Sequence, residues 1–202
     1  MKTLREIALF LKESREPISL KVLGEQTGFF DISLRVLGDY LTSIPTTDPD
    51  KDVVASACPN RLALPIGALA IPYCSNKSPE KRDTTVRRAV VVIHGNGRNA
   101  PGYYRSMLDA ANGAGRLAET IIIAPHFLIE NDVNTHHPGN NVPFWTADSW
   151  KQGDDSLSTS NNPRPAQPSS FEVVDVIMAR LADRNVFPNL IDVVLARLYP
   201  LV

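Results

Sequence analysis

Apolar runs and stretches with helical apolar spacing alternate over the last two thirds of the chain. Four runs predict strands, at 68–73, 86–93, 120–124 and 191–196. They are nearly continuous and rich in β-branched residues, which is typical of parallel strands covered on both faces. Pro72 in the first run predicts a strand at the edge of the sheet, because proline cannot donate a hydrogen bond to a ladder.

Two helices are predicted between these strands. Asn99 can cap the first, which tolerates Pro101 in its first turn and ends at the glycines within 113–115. The second begins at Ser169, where Glu172 stands at the spacing of a capping box. The order strand, helix, strand, long loop, helix, strand predicts an α/β fold with a doubly wound, mostly parallel sheet.

Residues 1–60 have a different pattern. Apolar positions at helical spacing predict two short amphipathic helices, on Leu4, Ile7, Ala8 and Leu11 and on Ile32, Val36, Leu37 and Tyr40. Such stripes are usually packing faces. The stretch 42–52 is polar and contains two prolines, which is typical of a linker. We therefore expect a helical N-terminal extension and linker over 1–60 and an α/β domain over 61–202.

The charge balance and the lack of a recognisable targeting signal limit the expected binding partners and the expected cellular compartment. The 202 residues carry 21 basic and 22 acidic side chains without a basic cluster, so neither nucleic acid nor an anionic membrane is an expected partner. The apolar stretch 7–11 is too short for a signal peptide, and no run approaches the roughly 20 residues of a membrane span. The prediction is a cytoplasmic protein in which Cys58 and Cys74 are buried free thiols; a disulfide between them is the alternative.

The turn that follows the second predicted strand is the clearest indication of a functional site. Four β-branched residues at 90–93 lead into His94-Gly95-Asn96-Gly97. A parallel strand that ends in such a turn can present backbone N–H groups to an oxyanion.

This turn, together with Arg98-Asn99-Ala100 and Tyr103-Tyr104, resembles the oxyanion-hole strand and following helix of the α/β-hydrolase superfamily. Other segments are similar to one group of its microbial and fungal members: Ala124-Pro125-His126-Phe127, Trp145 and Trp150 with Gly153-Asp154, 171–175 and 187–190. The resemblance covers 62–196. It implies a serine esterase or lipase-like acyl hydrolase that acts on a small acyl substrate without a cofactor. It also implies that His94 shapes the turn and that the N–H groups of Asn96 or Gly97 bind the oxyanion.

The catalytic nucleophile of that family has no counterpart here. In the family, the strand corresponding to 191–196 leads into a Gly-x-Ser-x-Gly elbow, and the acid and histidine of the triad follow it. Residues 197–202 contain neither serine nor glycine. We therefore expect a truncated, inactive α/β-hydrolase-like protein, a pseudoenzyme with no catalytic residue of its own. An active enzyme that uses an unrecognised site, for instance Ser156, remains an alternative.

The long segment 130–167 is a candidate for substrate binding. In the family such a segment lies over the carboxyl edge of the sheet. Phe144, Trp145 and Trp150, with Tyr103 from the first helix, are therefore candidates to line a pocket; burial that anchors the segment is the alternative. No metal site is expected from the adjacent pair 136–137, because neighbouring histidines point in different directions.

The last predicted strand indicates a partner of a different kind. Without later strands beside it, 193–196 would be an apolar edge strand that lacks cover on one face. We expect self-association, or pairing with another chain, through this strand. A non-catalytic binding or regulatory protein that pairs with another hydrolase chain is therefore the alternative function.

Overall fold

The computed structural model describes residues 61–197. The chain divides into two units, Met1–Asp48 and Pro49–Val202, and all of the described residues belong to the second. The two helices predicted within 1–60 lie outside the described residues.

A five-stranded sheet forms the centre of the described part. The strands in chain order are β1 (Arg61–Ile66), β2 (Leu69–Ser75), β3 (Arg88–Ile93), β4 (Thr120–Pro125), β5 (Leu128–Ile129), β6 (Phe144–Trp145) and β7 (Asp192–Arg197). The sheet has the order β1-β2-β4-β3-β7, and β5 and β6 form a separate parallel pair. β2 runs antiparallel to both β1 and β4, whereas β3 runs parallel to both β4 and β7. Only β2 opposes the common direction, so the predicted α/β fold with a mostly parallel sheet is confirmed.

Four α-helices connect or cover these strands in the described part. They are α1 (Ala100–Gly113), α2 (Glu130–His136), α3 (Ser149–Gln152) and α4 (Ser170–Ala182), with a 3₁₀ turn at Leu117–Glu119. Asn99 Oδ1 accepts a hydrogen bond from Gly102 N at 2.9 Å and so caps α1, as predicted. Ser169 Oγ accepts from Glu172 N, and Glu172 Oε2 accepts from Ser169 N. The predicted capping box at the start of α4 is therefore confirmed.

The two long helices, α1 and α4, belong to the connections between parallel strands. α1 packs against β2, β3 and β4. The connection from β3 through α1 to β4 crosses the sheet in one direction, and the connection from β4 through α4 to β7 crosses it in the other. Because parallel crossovers are right-handed, α1 and α4 lie on opposite faces. Val173, Ile177 and Leu181 form the buried stripe of α4.

The prediction that Pro72 marks a sheet edge is wrong, because β2 lies between β1 and β4. Pro72 O accepts from His126 N at 2.8 Å, so the backbone of this residue faces the β4 side of the strand. β4 has already ended there, since its last pair is Tyr73 with Pro125. The missing N–H of Pro72 therefore removes no bond from either ladder.

Two other sequence expectations need correction. The sequence pattern did not predict β1, which continues to Ile66; the turn that follows begins at Gly67, whose φ is +56°. The long loop expected over 130–167 contains α2, β6 and α3, and it ends beside a bridge between Asp155 and Ser169. Each of these elements is too short to show a clear periodicity in the sequence.

Cys74 is disulfide-bonded, so the prediction of a free thiol at this position is wrong. The other cysteine of the chain, Cys58, lies outside the described residues. Cys74 stands at the end of β2, where its side chain is buried. Two cysteines without a motif spacing gave too little information to detect the bond.

β7 lies at one edge of the sheet in the described part of the chain, as the sequence predicted. The exposed large hydrophobic side chains among the described residues are Ile191 and Val194, which stand just before this strand and within it. None of the described helices combines the length and the apolar character needed to cross a membrane.

Candidate functional site

The candidate site is the loop 94–99, which connects β3 to α1. It leaves the carboxyl end of a strand that has a parallel neighbour on each side. The next connection leaves β4 at His126 and leads through α4. The right-handed crossover rule places it on the other face of the sheet, since it crosses in the opposite direction. Ligands of open α/β sheets bind where adjacent connections diverge in this way, so the loop stands at the switch point of the topology.

A tight turn gives the loop its shape. Arg98 N donates to Gly95 O at 3.0 Å, with Asn96 and Gly97 at the centre of the turn, and Ala100 N donates to Arg98 O at 3.0 Å. Within the described part of the chain, the N–H groups of Asn96 and Gly97 have no hydrogen-bond acceptor. Two consecutive backbone donors are therefore available to a ligand beside the carboxyl end of β3.

His94 supports this turn, and both of its ring nitrogens form hydrogen bonds with backbone groups. Its Nε2 accepts from Phe127 N at 3.0 Å, so the proton of the neutral ring is on Nδ1, which donates to Gly95 O at 3.0 Å. Burial lowers the pKa of His94 to about 4. At neutral pH the ring is uncharged and both nitrogens are bonded to backbone groups, so His94 orients the loop and does not serve as a general base.

Aromatic rings surround His94 on the side of the long segment. Its ring centroid lies 4.8 Å from that of Trp150, and Phe127 stacks on Trp150 at 5.7 Å. Phe127 also contacts Trp145 edge to face at 5.3 Å. Trp145 Nε1 donates to Asp154 O at 3.1 Å. These contacts attach the segment that follows β4 to the end of β3.

The four residues expected to line a pocket lie on three different elements. Phe144 and Trp145 are fully buried in β6, Trp150 is buried in α3, and Tyr103 is partly exposed on α1. The guanidinium of Arg164 lies 4.8 Å from the ring of Phe144. The three buried rings have the contacts of residues that anchor a segment. A role in lining a substrate pocket stays a prediction for all four.

Sequence reasoning missed the ion pair between Arg98 and Asp132. Arg98 Nε donates to Asp132 Oδ2 at 2.7 Å, and Arg98 Nη2 donates to Asp132 Oδ1 at 3.1 Å. The pair joins the candidate loop to the first turn of α2. Because 34 residues separate the partners and neither belongs to a local motif, the sequence carried no signal that would connect them.

Asp132 and the alternative nucleophile Ser156 both have little access to a ligand. Asp132 uses both carboxylate oxygens to bind Arg98, and among the described residues no group of three or more histidine, cysteine or acidic side chains is arranged to hold a metal ion. Ser156 is completely buried, and its hydroxyl has no hydrogen-bond partner. A buried serine without a base beside it is not an activated nucleophile.

Comparison with known proteins assigns neither a family nor a function to this chain. No family model matches this chain, and neither a curated protein nor a solved structure matches it.

Proposed function

We propose that the loop 94–99 is the oxyanion-binding half of an acyl-hydrolase site of the α/β-hydrolase type. The observation that carries the proposal is the pair of adjacent N–H groups, on Asn96 and Gly97, without an acceptor in the described part of the chain. Donors of this kind stabilise the negative charge that develops on the carbonyl oxygen of an ester. One such donor contributes roughly 10² to 10³ in turnover.

Connectivity supports the same proposal. In α/β-hydrolases one oxyanion donor comes from the loop between the third strand and the first helix that follows it. The loop 94–99 follows β3 and precedes α1, the first helix of the described residues. The sheet beside it is mostly parallel, with helices on opposite faces.

We further propose that this chain by itself does not hydrolyse acyl substrates. No Gly-x-Ser-x-Gly sequence occurs in its 202 residues. His94 is bonded to backbone groups through both ring nitrogens, and Ser156 is buried. The ligand class is therefore a small molecule with an acyl oxygen that can accept two N–H donors, without a cofactor.

Anion binding and serine reactivity test these two statements separately. Acetate, added to the ¹⁵N-labelled chain at constant ionic strength, should shift the amide signals of Asn96 and Gly97, and chloride should not. A fluorophosphonate should label no serine of the folded chain. Unchanged amide signals in acetate would refute the oxyanion loop. Labelling that disappears on Ser156→Ala would instead identify an active enzyme.

A second candidate function is binding through β7, and the exposure of Val194 favours it. Val194 is 42% exposed on a strand whose outer edge is open in the described part of the chain. A second copy could add its own β7 to this edge and extend the sheet. We therefore expect a dimer by light scattering at micromolar concentration and a monomer for Val194→Lys. Ala63→Lys, on the opposite edge strand β1, is the matched control. A wild-type monomer would refute this binding function.

The disulfide at Cys74 bears on the cellular compartment in which the protein matures. A cytoplasmic location stays a prediction of the sequence, and the disulfide counts against it, because cytosolic reductants keep most thiols reduced. We therefore propose maturation in an oxidising compartment. Protein isolated from its native source under acid quench should resist alkylation until it is reduced. Immediate alkylation would restore the cytoplasmic prediction.

A further inference from the structure

We propose that Arg98, held by Asp132, is a positioning residue that fixes the direction of the Gly97 N–H group. This inference rests on the proposed function, since it names the side chain that aims one of the two oxyanion donors. Arg98 itself does not have to touch the ligand.

The guanidinium of Arg98 makes three hydrogen bonds with a single orientation. Two are the paired bonds from Nε and Nη2 to the two carboxylate oxygens of Asp132, at 2.7 and 3.1 Å. The third runs from Nη1 to Asn96 O at 3.0 Å. Because a bidentate pair fixes the plane of the guanidinium, the position of Nη1 is set by Asp132.

The third bond reaches the donor through the peptide group. Asn96 C=O and Gly97 N–H belong to the same peptide unit, and no cis peptide bond occurs in the described residues. In a trans peptide the carbonyl and the N–H point in opposite directions. When Nη1 of Arg98 holds Asn96 O, the Gly97 N–H must therefore point away from the guanidinium. No residue among 61–197 accepts a hydrogen bond from it.

Asp132 is a rigid support for this arrangement. Its side chain is 5% exposed, and its Oδ2 also accepts from Ile129 N at 2.9 Å, at the start of α2. Arg98 has a φ of +52°, which is uncommon for a residue other than glycine. Such a conformation persists only where surrounding contacts determine it, and the Asp132 pair and the turn bond to Gly95 supply those contacts.

Lysine cannot replace arginine in this role, which gives a direct test. An ammonium group keeps the positive charge, but it cannot bind both oxygens of Asp132 and also hold Asn96 O in a fixed geometry. We would measure ¹⁵N relaxation order parameters in the 202-residue chain and in Arg98→Lys. Arg116→Lys is the matched control, because it alters an ion pair with Glu119 that lies on the surface.

We expect an order parameter near 0.85 for the Gly97 amide in the wild-type chain and below about 0.6 in Arg98→Lys. The amides of β3 and β4 should not change, and Arg116→Lys should behave as wild type. If Arg98→Lys does not fold, Asp132→Asn serves instead, with the same expected loss of order at Gly97. A Gly97 amide that is as ordered in the folded variant as in the wild type would overturn the inference.

The acetate titration separates this inference from the function on which it rests. If the order of Gly97 falls in Arg98→Lys and acetate shifts the wild-type amide, both are supported. If the order falls but acetate shifts neither Asn96 nor Gly97 in the wild type, Arg98 still positions the N–H group and the oxyanion function is refuted.

Discussion

The strands β4 and β7 lie on either side of β3 and run parallel to it, yet their surroundings differ. Both are apolar at the centre, with Ile121–Ile123 in one and Val193–Leu195 in the other. Every residue of β4 is buried, whereas Val194 at the centre of β7 is 42% exposed. β4 has a further strand, β2, on its outer side, and α1 packs against it. Apolar composition favours a strand, but its position in the sheet decides how much of it is buried.

Three paired residues, one on each of β4, β3 and β7, allow the burial of β4 and β7 to be compared directly. Val90 of β3 pairs with Ile122 on one side and with Val194 on the other. Residues that pair in this way point to the same face, so the three side chains form a row across the sheet. Ile122 and Val194 therefore share a neighbour and a face, and they differ in burial.

The two sides of β3 also differ in their polar links. Asn76 continues the ladder beside β4, since its Nδ2 donates to Thr120 O at 2.9 Å and its Oδ1 accepts from Ile122 N at 2.8 Å. His94 then joins the end of β3 to the backbone that follows β4. On the other side, Arg88 pairs with Asp192 of β7 at 3.2 Å in a partly exposed position.

The largest expected effect comes from truncating the buried member of the row. Ile122→Ala should lower the free energy of unfolding by about 2 to 5 kcal/mol, because it removes a fully buried side chain from the interior of the sheet. Val194→Ala is the matched variant and should cost less than about 1 kcal/mol. Urea denaturation of both variants measures the difference. Equal losses would show that β7 is as covered as β4.

A pH titration tests the link between β3 and β4. The burial of His94 lowers its pKa from 6.5 to about 4, so the unfolded chain takes up the proton first as the pH falls. The free energy of unfolding should therefore have its full value above about pH 6.5 and decrease by about 3 kcal/mol between pH 6.5 and 4. His94→Gln should lose this dependence, and His136→Gln should keep it. An unchanged acid dependence in His94→Gln would assign it to another group.

Removal of the Asn76 amide should have an intermediate effect. Asn76→Ala leaves Thr120 O and Ile122 N without their partner in the interior, at a cost of about 1 to 3 kcal/mol. Asn189→Ala, which removes an exposed bond to Thr84 O, is the control and should cost less. Thermal unfolding of the two variants compares them. Equal melting temperatures would mean that water replaces the Asn76 bonds.

The smallest effect is expected for the ion pair on the β7 side. Asp192→Asn should cost less than about 1 kcal/mol, since both partners are partly exposed to water and salt. The difference from wild type should shrink further in 1 M sodium chloride. A loss of several kcal/mol would show that β7 lies in a more enclosed environment than its exposure indicates.

Sequence reasoning succeeded where the signal was local. The caps at Asn99 and Ser169 depend on residues three positions away, so their spacing could be read directly. The main strands were also found, because their β-branched runs are long enough to be distinctive. β1 and the short pair of β5 and β6 were missed, since proline or short length hides their pattern.

The candidate site likewise combines a local turn, which the sequence predicts, with long-range contacts, which it does not. The turn 94–97 was identified from residues that are adjacent in the chain. The pairs that fix it, Arg98 with Asp132 and His94 with Phe127, each join residues more than 30 positions apart. No local spacing predicts such contacts. Two cysteines without a motif spacing likewise left the disulfide at Cys74 as the less favoured alternative.

The local sequence was enough to predict the strands with clear apolar runs, the N-terminal caps of the two long helices and the position of the loop 94–99. These depend on backbone preferences and hydrogen bonds between near neighbours, which a few consecutive residues settle. The strand order, the complete burial of β4 between β2 and β3, the neutral state of His94 and the hydrogen bond from Arg98 to Asn96 became known only from the folded structure. Each of these depends on which distant groups exclude water or supply a partner, and that is set when the chain packs.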